Sequence, residues 1–116
     1  DQRRLPPEAE PFLEGKIPFT ALCGYHTLPI LSMLDQLHRR GFRVPEDISV
    51  VAYGSEPYFA AQGVPLTAVM APGKESGARA VEIMDQYLTG QIPELQSDML
   101  PIQLKRRQSV IRLRRP

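Results

Sequence analysis

Cys23 and His26, a thiol and an imidazole three residues apart, are the pair in this sequence that most resembles a nucleophile and its base. Such chemistry needs the imidazole within hydrogen-bond reach of the sulfur and a third group to orient it. Two residues of one turn seldom meet in that way, and no orienting group is identifiable. Cys23 reads instead as a strand residue with a buried, inert thiol. A metal site fares no better, since His26, His38 and a single cysteine have no ligand spacing. There is neither a glycine-rich phosphate loop nor a G-x-S-x-G turn. The chain is therefore expected to be no enzyme and to carry no cofactor or metal. What remains is binding chemistry. Tyr25 and Tyr53 could stack on a ring-shaped ligand, although tyrosines flanking a sheet often only pack. Ser55 offers a hydroxyl. Lys105, Arg106, Arg107, Arg112, Arg114 and Arg115 hold six of the fourteen positive charges. They fit a solvated edge strand, where charge discourages pairing with other strands, better than a nucleic-acid surface.

These side chains need elements to position them. Phe19 to Cys23 reads as a buried strand, and Gly24 to Thr27 as a turn. A helix over 28–40 follows, with Thr27 as N-cap, Pro29 in the first turn and Gly41 as its stop. Leu28, Leu31, Leu34 and Leu37 form one stripe of this helix, and Ile30 and Met33 widen it. Residues 48–53 are a second strand, rich in β-branched side chains. Residues 54–65 are loop-like, 66–70 a third strand and 74–88 a second helix. That helix should turn Ala80, Val81, Met84 and Leu88 inward. A short helix over 7–15 precedes these elements, and extended segments near 100–105 and 109–113 follow them. Strands and helices in this order, with continuous apolar strands, predict an α/β layered fold with a largely parallel sheet flanked by helices. Ligands of such sheets sit at the carboxyl ends of the strands, which points to 23–27 and 53–56.

The bulk properties agree with a soluble globular domain and narrow the partners. The chain has 116 residues, 42% hydrophobic and 23% charged, enough for one small domain. Its formal net charge of +1 leaves no overall footprint for nucleic acid or an anionic membrane. No apolar run approaches the ~20 residues that a spanning helix needs. One cysteine cannot form an internal disulfide, so nothing asks for an oxidising compartment. The twelve prolines are dispersed and punctuate short elements. Beginning at Asp1, the chain reads as a fragment of a longer protein.

The string Arg40-Gly-Phe-Arg-Val-Pro-Glu-Asp-Ile-Ser-Val-Val-Ala-Tyr53 resembles the stretch that marks the lac-repressor and galactose-repressor family of bacterial transcription regulators. Its setting resembles the family too: Phe19-Thr-Ala-Leu before a helix, Pro65-Leu-Thr-Ala-Val69, Gly77-Ala-Arg-Ala-Val-Glu82, Leu100-Pro101 and Arg107-Gln-Ser109. The resemblance spans roughly residues 17–110 and implies the C-terminal part of a two-lobed effector-binding domain, like that of periplasmic sugar-binding proteins but cytoplasmic. On this reading 1–64 and 99–113 belong to the C-terminal lobe, and 66–90 lend a strand and helix to the other lobe. That strand and helix then either fold back on their own sheet or dock on a second copy of the chain. The DNA-binding headpiece lies outside the chain, so DNA is reached only through it.

The resemblance also implies site residues. The effector falls against His26 and Ser55, with Tyr25 and Tyr53 beside them by their own strand-end positions, and a homodimer forms through Leu28, Leu31, Ser32 and Asp35. Where the family has Asn-Asp after the first strand, this chain has His26-Thr27. Gly54-Ser55 stands for an Asp-Asp pair, and Ala71 for a further polar contact. Glycine cannot imitate a carboxylate that holds sugar hydroxyls, and each lost charge-assisted bond is worth about 1.5–3 kcal/mol. A small-molecule effector is thus expected, and a simple sugar is not. A periplasmic solute-binding protein of the same fold is the alternative, and an α/β enzyme the second alternative.

Overall fold

The computed structural model describes residues 5–54 and 58–113. A 3-10 turn, Pro7–Ala9, runs into the short helix α1, Glu10–Leu13. The strands are β1 (Ala21–Tyr25), β2 (Ser49–Gly54), β3 (Thr67–Met70) and β4 (Gln103–Lys105), and the long helices are α2 (Thr27–Arg39) and α3 (Gly73–Leu88). The sheet runs in the order β1-β2-β3-β4, with β1, β2 and β3 parallel to one another. The α/β layered arrangement expected from the sequence is therefore present. The first two strands begin one or two residues later than their apolar runs suggest. Residues 109–113 form no strand.

The α2 helix shows how local chemistry sets the bounds. Gly41 adopts φ 83°, a conformation that a side chain disfavours. Its N–H donates to the His38 carbonyl at 3.0 Å, and the Phe42 N–H donates to that of Leu37 at 3.0 Å. This paired closure satisfies carbonyls that the helix leaves free and directs Phe42 back onto the core. At the other end the expected cap moves by one residue. His26 occupies the N-cap position and makes no side-chain cap bond, while Thr27 is the first helical residue.

The chain falls into two compact units, one comprising residues up to Met70 together with those from Leu104 onward, the other Ala71–Gln103. In the first, α2 lies on one face of the sheet. Ile30 and Leu37 from the helix meet Val50, Ala52 and Ala68 from the strands, with Leu13, Ile48, Phe59 and Leu66 completing a buried cluster. Each of the larger side chains is worth about 1.5–3 kcal/mol on burial. Pleating divides β1 and β2 between the two faces. Gly24 lies so close to Ile30 that a Cβ would come within 2.1 Å of its side chain, which fixes Leu22 and Gly24 on the helix side. Cys23 and Tyr25 therefore point to the opposite face. Cys23 is exposed, which corrects the expectation of a buried thiol.

Strand Thr67–Met70 pairs with β2 and lies in the first unit, while α3 lies in the second. One further expectation changes. In the second unit none of α3 is buried, and Val81 and Leu88 are 70% and 74% exposed. Arg79 ties α3 to the segment after it through Asp98 at 2.6 Å. The apolar period of α3 is met only in part: Ile83 is half-buried, and Ala80, Ile83 and Met84 share an open pocket with Leu95 and Leu100.

Candidate functional site

The parallel register of β1 and β2 brings Tyr25 opposite Tyr53 at the carboxyl ends of both strands. Their rings stack, with centroids 4.9 Å apart and planes 13° from parallel. The imidazole of His26 stands edge-on to Tyr25 at 4.2 Å and 68°. Three of the four candidate ligand residues thus form one aromatic cluster, and Tyr25 is 64% exposed. The fourth, Ser55, lies outside the described residues. His26 has φ 72° and ψ 140°, a backbone region that residues with a Cβ seldom enter. Strain of this kind persists only where the surroundings hold it, and it recurs at functional turns. Here it turns the imidazole toward Tyr25.

Gly54 explains one departure from the family pattern. A Cβ at this position would lie 2.8 Å from the Thr27 hydroxyl and 3.0 Å from the ring of Phe59, which is fully buried. An aspartate has no room there. Ala71 follows β3 and is exposed, and it opens the second unit.

The residues expected at a dimer contact share one side of α2. Leu28 and Asp35 are exposed, and Leu31 and Ser32 half-buried. Asp35 accepts a hydrogen bond from Arg39 Nε at 2.8 Å. Leu31 and Asp35, with Leu34, His38, Phe42 and Val64, line an open groove of about 650 Å³.

Two polar devices went unrecognised in the sequence. The Ser109 hydroxyl is fully buried, donates to the Val50 carbonyl at 2.5 Å and accepts from the Thr67 N–H at 2.8 Å. Its own carbonyl accepts from the Val50 N–H at 2.8 Å, and Arg107 Nη1 donates to the Leu66 carbonyl at 2.7 Å. The basic tail is thus a strap across the amino ends of β2 and β3. The family-like Arg107-Gln-Ser109 string was the available signal, but a serine among arginines reads as solvated. The second device is Asp47. It accepts bonds from the Arg43 N–H at 2.8 Å and from Nε and Nη2 at 2.9 Å, locking the turn into β2, where the Val44–Pro45 peptide is cis.

Hydrogen bonds from the Arg43 side chain and then its backbone hold the Asp47 carboxyl down at about 2. The folded state therefore takes up this proton less readily than the unfolded chain, whose aspartates titrate near ~3.9. The Asp47 contribution is complete above about pH 4 and fades as pH falls toward 2. Thermal midpoints recorded from pH 5 to 2.5 should show this decline, and Asp47→Asn should flatten it. A decline unchanged in Asp47→Asn would assign it to other carboxylates.

Among the described residues, no three His, Cys, Asp or Glu side chains gather as a metal-binding group. No helix among them is long and apolar enough to cross a membrane.

Three parallel strands covered on one face by α2 make this an α/β layered domain. Residues 3–110 match the model of the periplasmic binding protein-like domain, and the chain belongs to that family. It is 38% identical over 71 residues to the HTH-type transcriptional repressor PurR of Aliivibrio fischeri strain MJ11, covering 61% of this chain and 21% of the repressor. A putative LacI transcriptional regulator from Bacillus cereus subsp. cytotoxis superposes with a TM-score of 0.79 at 23% identity, covering 89% of this chain and 36% of the regulator. The Lac repressor bound to ONPG gives 0.78 at 25% identity, covering 89% and 31%. The chain corresponds to part of the effector-binding domain of LacI-family transcription repressors and spans about a fifth of the curated relative's length.

Proposed function

We propose that this chain is the effector-sensing and dimerisation region of a bacterial transcription regulator, acting in the cytoplasm and not as an enzyme. One observation carries the reading: Tyr25, Tyr53 and His26 converge at the carboxyl ends of adjacent parallel strands, on the scaffold that repressors of this family share. The effector is a small molecule held by these residues and by Ser55. DNA is bound by another part of the regulator. The repressor relatives favour this reading over a solute-binding protein for transport.

A thermal-shift screen of metabolites on the chain tests the site, with His26→Ala and Tyr53→Ala as controls. Hits should lose their shift in both variants, and a hit that keeps it in both would locate the ligand elsewhere. Simple hexoses and pentoses should bind more weakly than about 1 mM by calorimetry, because position 54 supplies no carboxylate to replace the lost charge-assisted bonds. Submillimolar affinity for a plain monosaccharide would overturn that expectation.

The dimer contact runs along Leu28, Leu31, Ser32 and Asp35. Leu31 is half-buried on α2, so an arginine there can reach solvent while placing a charge in an isologous contact. Leu31→Arg should shift the self-association constant at least tenfold toward monomer (about 1.4 kcal/mol) and leave the circular dichroism unchanged. An unaltered sedimentation profile in a protein that dimerises would remove this interface.

A further inference from the structure

We propose that the site selects flat aromatic or heteroaromatic effectors over sugars, with Tyr25 as the residue that sets this preference; the inference rests on the effector-site reading above. The stacked pair Tyr25 and Tyr53, with its planes 13° apart, already presents parallel π surfaces, and His26 stands crosswise against it at 4.2 Å. Most of Tyr25 remains open to solvent. A planar ring adds to such a cluster in offset-stacked or edge-on geometry without rearranging it, because face and edge carry opposite partial charge. The imidazole and the two phenol hydroxyls give the cluster a polar edge that can donate to or accept from ring nitrogens and carbonyls. Saturated sugar rings need convergent acceptors for several hydroxyls, and Gly54, next to Tyr53 at the end of β2, offers no side chain and is packed against Thr27 and Phe59. The strained backbone of His26 holds the imidazole in the cluster before any ligand arrives. The surface is thus formed in advance for a flat ligand.

The chain has four tyrosines and no tryptophan, so ring-selective carbon-13 labelling yields a small set of signals. Tyr58 and Tyr87 lie outside the cluster and serve as internal references. Titration with adenine and with nicotinamide should move the Tyr25 and Tyr53 ring signals saturably and leave Tyr58 and Tyr87 in place. Tyr25→Ala should weaken that binding at least fivefold, and Tyr25→Phe, which keeps the ring, should restore it to within twofold. Glucose and ribose should move none of the four. If glucose or ribose shifts the Tyr25 and Tyr53 signals saturably while neither flat probe does, the effector site stands and the proposed selectivity falls. If neither class moves either ring in the folded chain, the site reading falls and the selectivity falls with it. If flat probes bind equally well to Tyr25→Ala, Tyr25 does not set the preference.

Discussion

Gly54→Asp is expected to destabilise the first unit by about 2–4 kcal/mol without creating sugar affinity. The substitution restores the residue type that the lac-repressor family carries at this place, so on sequence grounds it would look like a repair. The packing argues otherwise. A Cβ at 54 would press on the Thr27 hydroxyl at 2.8 Å and on the Phe59 ring at 3.0 Å. Phe59 is the largest fully buried side chain and cannot retreat without opening a cavity in the core. Overpacking of this kind costs about 1–3 kcal/mol, and a carboxylate partly withdrawn from water adds to it. Urea midpoints of Gly54→Ala and Gly54→Asp separate the two effects, since alanine brings the clash without the charge. A Gly54→Asp variant as stable as the parent chain would show that the loop carrying Phe59 yields easily.

Ser109→Ala should cost about 2–3 kcal/mol, more than any single surface ion pair in the chain. The hydroxyl joins the Val50 carbonyl to the Thr67 N–H, linking β2 to β3 inside the fold. Alanine leaves the Thr67 N–H buried without that acceptor, and an unsatisfied buried donor is penalised by its full desolvation. Ser49→Ala is the matched control. Its hydroxyl also bonds to the tail, accepting from the Ile111 N–H at 3.2 Å, but in an exposed setting where water can substitute. That variant should lose no more than about 0.5–1 kcal/mol. Equal losses in the two variants, read from urea unfolding, would mean that burial of Ser109 is not what makes its bonds matter.

Tyr25 and Tyr53 illustrate how far the candidate site could be read in advance. Their types and their positions at strand ends were legible, because a parallel α/β sheet directs ligands to its carboxyl ends. Their mutual stacking was not, since it depends on the register that pairs Tyr25 with Tyr53. His26 was legible as a turn residue, but its positive φ and its approach to Tyr25 were not. Cys23 was misjudged because an apolar run shows that a strand is largely buried without saying which face the helix covers.

Local sequence by itself determined the α/β order of elements, the stop of α2 at Gly41 and the apolar stripes of both long helices. These follow from backbone preference and side-chain period, which act over a few neighbouring residues. Tertiary structure alone decided that β3 stays with β1 and β2, that Ser109 becomes a buried clamp and that Gly54 has no space for a side chain. Each of these depends on atoms from segments far apart in the chain meeting within a few ångströms. The contrast between α2 and α3 has the same origin. Both carry apolar stripes, yet α2 buries Ile30 and Leu37 against the sheet while α3 buries no residue fully. A stripe states what a helix needs, and only the packing around it determines whether that need is met.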